Sequence, residues 1–496
     1  MVPFQANERS AVWLLCLIAA GHVFIYAAAF PFFNNVDEPA HFDLAVSYSH
    51  GEIPRSLGYL SQESLQYLAV YSSLQFLASE TDFPGGRMPP PLWRLPMEKI
   101  APVLQLREAS WRNINHEASQ PPLYYLVAGG WWGMEKFCGV DGLGALYGLR
   151  FLNLFLVGSL VWLGYAAACQ VVPGSQLVRL GVPALIAFLP QTAFYGISND
   201  VLLPVTFGAA FLLLLKFLRA DIPGVKGGAA AGLALAAVYL TKLSNLPLLA
   251  VSALLVLGKG WQLARAGNGR AAWPALAALA LAAAIPMAGW MTWCRYHFGD
   301  VTGSAAKIAF LGWTHRPLAE WLDHPLFTLS GCGVFLSGLL STFWQGEFMW
   351  LRQPLALKGV NAVYVILSVT LIPLALLERR RSGGAGPAGR PGEVWVCFWM
   401  VAASVLFLGG LSLLYDFHDC FYPSREHPYF TSGRLMLGAL IPFLLLVLCG
   451  LERLLERVGL PRAKGWALAG LILFLVMAEI ATDWQVFFSQ YNWFHL

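Results

Sequence analysis

Charged residues are scarce in this sequence of 496 residues, and their scarcity excludes an ordinary soluble domain. Asp, Glu, Lys and Arg together make up 12% of the chain, and 57% of the residues are hydrophobic, whereas soluble domains carry about 25% charged residues. The formal net charge is only +4, and the basic residues gather in short loops between apolar runs. This is the pattern of membrane topology and not of a nucleic-acid surface. The sequence therefore predicts a polytopic membrane protein with no nucleic-acid partner.

Paired cysteines are also lacking. The chain has eight cysteines, and no two of them stand in a Cys-x-x-Cys spacing. Five lie inside apolar runs, namely Cys16, Cys169, Cys294, Cys397 and Cys449. The pattern indicates neither a disulfide framework nor a zinc site built from cysteines.

Long apolar runs are abundant, and about twelve of them approach the ~20 residues that a membrane helix needs. They lie at roughly 11–30, 121–138, 150–171, 177–196, 201–218, 228–241, 244–258, 272–296, 359–377, 394–415, 434–451 and 465–481. We expect an all-α, polytopic transmembrane helical bundle of about 11–12 helices, forming a single integral membrane domain over 1–496. The first run lacks a cleavage signature, which favours a retained signal anchor with a cytoplasmic N-terminus.

The basic loops predict which side of the membrane each segment faces. Loops rich in Lys and Arg lie near 216–226, 259–270, 379–390 and 453–464, and such loops stay in the cytoplasm. The residues between 31 and 119 then form a first periplasmic loop, and 298–357 a second. Residues 379–393, rich in Arg, Gly and Pro, are predicted to be a cytoplasmic linker.

The large first outer loop is predicted to contain amphipathic juxtamembrane helices. Three stretches carry apolar residues at helical spacing, at 37–50, 62–78 and 96–114, and Gly and Pro residues separate them. Placing both this loop and Asn199-Asp200 outside requires an even number of crossings between them. Because three apolar runs intervene, we predict that the weakest, 121–138, which contains Glu135 and Lys136, does not cross fully.

The most informative short motif is Asp37-Glu38-Pro39-Ala40-His41, directly after the first apolar run. Proline suits the first turn of a helix, so a helix is expected to begin here with both acids at its positive end. His41 falls about one turn further along, towards the same face. Taken alone, the motif fits equally well an ionised acid pair with chemistry to do and an ordinary helix cap with an interfacial histidine.

Further polar residues fall on the predicted outer face, at the ends of apolar runs. They are His116, Glu117, Gln120, Asn199, Asp200, Lys242, Tyr429 and Arg434. Lysine and arginine bind phosphate oxygens, a carboxylate can deprotonate a hydroxyl group, and the apolar groove would take a lipid tail. The set therefore suits a lipid-linked phosphate substrate. For Lys242 an ordinary interfacial lysine, extending to water, remains an alternative.

In their order along the chain these motifs resemble the GT-C superfamily of integral membrane glycosyltransferases, which includes protein O-mannosyltransferases and the lipid A aminoarabinose transferase. The resemblance rests on the acid pair of the first outer loop, on the motif from His116 to the double proline Pro121-Pro122, and on Asn199-Asp200, Lys242 and Gly433-Arg434. In detail the chain looks most like a bacterial branch of unknown function marked by the letters DEPAHF, here residues 37–42.

The resemblance implies transfer of a sugar from a polyprenyl-phosphate donor to a lipid, glycan or protein acceptor. Asp37 would be the catalytic base, alone or with Glu38, and Asp200 would orient the reacting groups. Lys242 and Arg434 would bind donor phosphate, because Gln120 stands where some relatives have a phosphate-binding lysine.

The same resemblance implies a substrate-binding role for His41, Asn199 and Tyr429. Two roles stay open for His116 and Glu117, which would line the acceptor side or, with Glu38, hold a divalent ion such as zinc or manganese. No cofactor is otherwise expected.

Two other classes of function remain open. A transporter or flippase of lipid-linked saccharides would share the apolar groove, although transporters place their ionisable residues inside the spans. A non-catalytic subunit of an envelope polysaccharide assembly machine would share the topology. The sequence identifies neither the sugar nor the acceptor.

Overall fold

A computed structural model describes residues 6–35, 37–377 and 391–496. Within these residues the chain forms seventeen α-helices and four strands of two residues each. The helices are α1 Ala6–Ala29, α2 Glu38–Ser49, α3 Gln62–Tyr71, α4 Met97–Trp111, α5 Leu123–Phe137, α6 Gly142–Val171, α7 Gln176–Ala187, α8 Leu203–Arg219, α9 Val225–Thr241, α10 Leu246–Arg265, α11 Gly269–Phe298, α12 Ser304–Phe310, α13 Leu329–Gln345, α14 Lys358–Leu376, α15 Pro391–Leu414, α16 Leu440–Arg457 and α17 Lys464–Asp483. The strands are β1 Thr314–His315, β2 Met349–Trp350, β3 Gln353–Pro354 and β4 Tyr415–Asp416, and β1 pairs with β4 and β2 with β3, both antiparallel.

The predicted all-α polytopic bundle is confirmed. Among the described residues, nine helical segments are long and apolar enough to cross a membrane. They are Glu8–Ala29, Gly142–Val171, Asn199–Arg219, Leu243–Arg265, Gly269–Phe298, Lys358–Leu376, Gly392–Leu414, Gly433–Arg457 and Pro461–His495. Counting the bent pair Leu318–Phe327 and Leu329–Gln345 as one span makes ten among the described residues, and α7 and α9 are shorter apolar helices.

Helix α5, which covers the predicted run 121–138, is too short to cross. It has 15 residues, or about 22 Å at 1.5 Å per residue, against a hydrocarbon thickness of about 30 Å. Helix α7, with 12 residues, is shorter still, so the number of crossings between the first loop and Asn199-Asp200 stays a prediction.

All three helices expected in the first outer loop begin within one residue of the predicted starts, but α2 is not an amphipathic helix lying on the membrane. Nine of its twelve residues are buried, because α5 packs against it closely. At the contact, Gly129 of α5 lies so near α2 that an added Cβ would come 2.9 Å from the carbonyl oxygen of Ala45. Helix α2 is therefore part of the core beneath the outer face.

A buried ion pair fixes the start of α2. Glu38 is 0% exposed and Arg150, on α6, is 1% exposed. The Nε and Nη2 atoms of Arg150 donate to the two carboxylate oxygens of Glu38, each at 2.9 Å. The backbone N–H groups of Phe33 and Ile197 donate to the same carboxylate at 2.8 and 3.0 Å. Asp37, immediately before it, adopts the left-handed backbone conformation with φ of 61°.

The second outer loop contains α12, α13 and the β2–β3 hairpin. Helix α13 follows the segment Leu318–Phe327 at an angle of 71°, and its C-terminal end leads directly into Gly346 and Glu347. The predicted cytoplasmic linker covers 379–393. Its residues 379–390 lie outside the described residues, and residues 391–393 belong to the first turn of α15.

Helices α9 and α11 approach each other through glycine. A Cβ added at Gly232 would lie 2.2 Å from the carbonyl oxygen of Leu279, and one at Gly228 would lie 2.1 Å from that of Ala275. Small residues four apart allow membrane helices to pack backbone to backbone. Because α9 ends at Thr241, this packing also determines where Lys242 lies.

We expect Gly232→Val to lower the thermal unfolding midpoint of the detergent-purified protein, because overpacking a tight contact costs about 1–3 kcal/mol. The matched control is Gly227→Val on the same helix, where no atom lies within 4 Å of the added Cβ. Equal midpoints for the two variants would contradict the close approach of α9 and α11.

Candidate functional site

The guanidinium group of Arg434 joins carboxylates from three distant parts of the chain. Its Nη2 atom lies 2.6 Å from Oδ2 of Asp37, and its Nη1 atom 3.0 Å from Oδ2 of Asp200. Its Nε atom lies 3.5 Å from Oε2 of Glu347. Arg434 therefore brings together the turns that precede α2, α8 and α16 and the end of α13. The sequence predicted that Asp37, Asp200 and Arg434 lie on one face, and here they meet.

Lys242 belongs to the same cluster. Its Nζ atom lies 2.6 Å from Oδ1 of Asp200, and the hydroxyl of Ser198 donates to Oδ2 of that carboxylate at 2.9 Å. Lys242 is 6% exposed and Asp200 is fully buried, so Lys242 does not extend to water as an interfacial lysine would. Both cations that were predicted to hold phosphate are paired with Asp200, and a phosphate group would have to compete with this carboxylate.

His116 and Glu117 lie beside Asp37, in the loop that leads to α5. The Nε2 atom of His116 lies 3.2 Å from Oδ1 of Asp37 and 3.4 Å from Oε1 of Glu117. Lys307, on α12, forms an ion pair with Glu117. The side-chain amide of Gln120 donates to Oε2 of Glu117 at 2.5 Å. The second sequence motif is thus joined to the first through Asp37.

Two buried polar side chains next to the cluster have atoms with no hydrogen-bond partner among the described residues. His41 bonds Tyr125 through Nδ1 at 2.7 Å, but its Nε2 atom has no partner. Asn199 donates to Gln120 at 3.3 Å, but its Oδ1 atom has none. Burial lowers the pKa of His41 to about 4, so its ring is neutral. Unpaired buried polar atoms of this kind are available to a bound ligand or water.

The charges of the cluster make Asp37 its accessible ionised carboxylate. Burial raises the pKa of Asp37, but Arg434 and His116 outweigh burial and hold that pKa well below its usual range. Burial raises the pKa of Glu347, even with Arg434 beside it. The side chain of Asp37 is 21% exposed and that of Asp200 is 0% exposed. Of the two aspartates on Arg434, only Asp37 can therefore be reached from outside.

Two residues predicted for the site lie elsewhere. Both carboxylate oxygens of Glu38 are occupied by Arg150, so the structure gives Glu38 a positioning role and leaves it no oxygen free for catalysis or for a metal. The ring of Tyr429 lies 5.9 Å from that of His324 and 5.1 Å from that of His427. Among the described residues, no hydrogen bond or ion pair links Tyr429 to the cluster. Its predicted role in substrate binding stays a prediction.

The predicted set of metal ligands changes as well, because Glu38 has no free oxygen. Asp37, His116 and Glu117 each offer a ligand atom, and these atoms lie within 4.8 Å of one another, so Asp37 takes the place predicted for Glu38. Imidazole and carboxylate donors fit zinc or manganese. Lys307, however, is already paired with Glu117, and a metal ion would have to displace its ammonium group.

Sequence reasoning missed two members of the cluster. Glu347 stands in the run from Ser341 to Phe348, which is rich in aromatic residues. An acid in an aromatic loop on the outer face was the available signal. Lys307 is a single lysine in a mixed segment of the second loop, and only its predicted side of the membrane connects it with the site.

Comparison with known families gives one match. A family described as "Predicted membrane protein (DUF2142)" matches residues 20–409. A search among curated proteins found no match. The matched range includes every carboxylate of the cluster, and Arg434 lies beyond it.

Glu117 gives the site a testable dependence on pH. Burial raises the pKa of Glu117, but Lys307 and His116 outweigh burial and lower that pKa from 4.5 to about 2. A carboxylate with a depressed pKa stabilises the fold above its unfolded pKa, and this contribution is lost as the pH falls from about 4.5 towards 2. We expect Glu117→Gln to lower the unfolding midpoint at pH 7 and to flatten its decline below pH 4.5.

The control for this prediction is Glu320→Gln, which alters an exposed glutamate of the second outer loop. Thermal unfolding of each variant at a series of pH values makes the comparison. If Glu117→Gln keeps the full acid-dependent decline of the wild type, the assigned ion pairs of Glu117 are wrong.

Proposed function

The chain belongs to the DUF2142 family of predicted membrane proteins, and we propose that it is a glycosyltransferase of the GT-C type. It would move a sugar from a polyprenyl-phosphate-linked donor to a lipid, glycan or protein acceptor at the outer face of the cytoplasmic membrane, with its site facing the periplasm. The observation that supports this most strongly is the bridge from Arg434 to Asp37 and Asp200. It combines an exposed base with a phosphate-binding fork.

In the proposed reaction Asp37 accepts the proton of the acceptor hydroxyl. The oxygen of that hydroxyl attacks the anomeric carbon of the donor sugar. The bond from this carbon to the phosphate oxygen breaks, and polyprenyl phosphate leaves with the bonding electron pair. General base catalysis of this kind contributes about 10²–10⁴-fold to the rate. The partial exposure of Asp37, 21% of its side chain, leaves room for the hydroxyl to approach.

Arg434 would couple donor binding to the basicity of Asp37. Its Nη2 atom lies 2.6 Å from Oδ2 of Asp37 and holds the pKa of that carboxylate low. A low pKa keeps Asp37 ionised but makes it a weak base. A donor phosphate that accepts the hydrogen bonds of the fork would draw the guanidinium away from Asp37. The carboxylate would then become more basic when the donor is in place.

Lys242 and Asp200 would hold this fork in position. Asp200 contacts both Lys242 and Arg434, at 2.6 and 3.0 Å, so its buried carboxylate fixes the two cations next to each other. Lysine then serves as a point charge for the phosphate, while arginine offers two parallel donors. Asp200 orients the groups that react and does not itself take the proton.

His116, Glu117, Gln120 and Asn199 would line the acceptor side. They form one hydrogen-bonded chain that runs from Asp37 to the start of α8. The free Oδ1 atom of Asn199 and the free Nε2 atom of His41 would offer further hydrogen bonds to sugar or acceptor hydroxyls.

A specific observation also favours a transporter or flippase of lipid-linked saccharides as a second candidate. Lys242 stands at the break between α9 and α10, and Asp200 in the short turn before α8. Interrupted helices with charged residues at the break are typical of transporters. Movement of a lipid-linked saccharide across proteoliposomes without cleavage would support this candidate, and neither movement nor cleavage would support a non-catalytic assembly subunit.

Asp37→Asn tests the assigned base. The purified variant is supplied with a labelled polyprenyl-phosphate sugar and a membrane lipid extract. We expect it to consume the donor at least about 100-fold more slowly than the wild type. It should stay folded, with a lower unfolding midpoint because the ion pair with Arg434 is lost, and it should keep its affinity for the donor within a small factor. Asp323→Asn, an exposed aspartate of the second outer loop, should keep the wild-type rate. Full activity of Asp37→Asn would rule out Asp37 as the base.

Lys242 tests the phosphate site. We expect Lys242→Ala to weaken donor binding about tenfold or more, because a charge-assisted hydrogen bond contributes about 1.5–3 kcal/mol. Lys242→Arg should keep most of the affinity, since it retains the positive charge. Donor affinity measured by displacement of labelled donor, with the unfolding midpoint as a check of folding, makes the comparison. Equal affinities in the two variants would show that Lys242 only neutralises Asp200.

A further inference from the structure

A second group of buried ionisable side chains lies on α17. Glu479 and Asp483 stand one helical turn apart and are 3% and 5% exposed. One oxygen of Glu479 lies 2.7 Å from Nε2 of His22, and the other accepts a hydrogen bond from the hydroxyl of Tyr195. Among the described residues, no hydrogen bond or ion pair links this group to the cluster around Arg434.

Asp483 is the unusual member of this group. No hydrogen bond or ion pair reaches its carboxylate from any described residue. A buried carboxylate without a partner is costly, and ionisable groups inside membrane segments generally have a functional reason to be there. Asp483 and Glu479 line the same small cavity of about 10 Å³, which is room for roughly one water molecule. The unpaired acid therefore faces a space that a small ligand can fill.

The remaining polar groups of this cavity are neutral oxygen or amide groups, and no lysine or arginine lines it. They belong to Thr192, Gln345, Tyr364 and Thr482. The cavity adjoins a larger one of about 350 Å³, and the two share Leu355 and Thr482 in their walls. The larger cavity lies between the β2–β3 hairpin and the end of α17. The two acids therefore lie next to a larger cavity.

We propose that the small cavity is a binding site for a hard metal cation, held by the carboxylate of Asp483 and by oxygens of Gln345 and Thr482. Glu479, whose oxygens already bond His22 and Tyr195, adds negative charge one helical turn away. Oxygen donors are the ligands that alkali and alkaline-earth cations prefer. Two carboxylates one turn apart repel each other in a medium of low dielectric constant, and a cation between them turns this repulsion into attraction. The size of the cavity matches a single ion and excludes an organic cation.

The cation would hold the segment that brings Glu347 to Arg434. Gln345 lines the cavity and stands two residues before Glu347. Thr192, which also lines the cavity, donates its hydroxyl to the carbonyl oxygen of Glu347 at 3.2 Å. Gly346 fits between them only because it lacks a side chain, since an added Cβ would lie 2.2 Å from Oγ1 of Thr192. The proposed ion thus lies behind the turn, and the Arg434 cluster lies in front of it.

Thermal unfolding of the full-length protein in detergent tests the site. After treatment with a chelator and desalting, the protein is heated with Na⁺, K⁺, Mg²⁺ or Ca²⁺ added singly over a range of concentrations. We expect at least one of these ions to raise the midpoint, with a shift that grows with the logarithm of its concentration above the dissociation constant. The four arms distinguish a monovalent from a divalent ligand.

Asp483→Asn is the decisive variant. Without added ions it should unfold at a higher temperature than the wild type, because it removes a buried unpaired charge, and it should lose the shift caused by the ion. Asp419→Asn, an exposed aspartate of the outer face, should respond to the ion as the wild type does. Glu479→Gln should reduce the shift as a second, independent variant.

Two results would overturn the proposal. In the first, none of the four ions raises the wild-type midpoint, although Asp483→Asn is the more stable protein. Asp483 would then be protonated and would not bind an ion. The other is an ion-dependent shift of full size in Asp483→Asn, since the ion would then bind elsewhere.

Discussion

The hydrogen-bonded ion pair between Glu38 and Arg150 is the constraint on which the cluster around Arg434 depends. The carboxylate of Glu38 accepts from Arg150 on α6, from Phe33 at the end of the first span, and from Ile197 in the segment that leads to α8. Removing one partner of such a buried pair typically costs about 3–5 kcal/mol, because the other charge is left uncompensated. One side chain therefore sets the relative positions of three parts of the chain that supply or support the cluster. Asp37 is held on the opposite side of the same turn, where it meets Arg434.

Much of this arrangement could be predicted from the sequence. The proline after the acid pair predicted the start of α2. The distribution of basic loops predicted that Asp37, Asp200, Lys242 and Arg434 lie on one face. The partner of Glu38 could not be found in this way, because Arg150 stands 112 positions away inside an apolar run. Side-chain pairing between helices depends on how they pack, which a linear pattern does not contain. The same applies to Lys307 and Glu347, which reach the cluster from the second outer loop.

The two groups of buried acids differ in how their charge is compensated. Around Arg434 the acids meet cations from the chain itself, including Lys242 and Lys307. On α17, Glu479 has His22 and Asp483 has no partner among the described residues. An internally balanced cluster can exchange partners with a charged substrate at a modest cost, because each acid and cation it releases can pair again. A group that contains an unpaired acid is stabilised most by a cation that stays bound.

The left-handed backbone of Asp37 restricts which residue can serve at this position. Among residues other than glycine, aspartate and asparagine enter this region readily, because their short polar side chains bond locally, whereas longer side chains pay roughly 1–2 kcal/mol. A glutamate would offer the same carboxylate, yet it would strain the turn and place its oxygens one bond further out. The choice of aspartate over glutamate at the centre of this face thus follows from main-chain geometry as much as from acidity. Redesign of the site would have to begin with the turn itself.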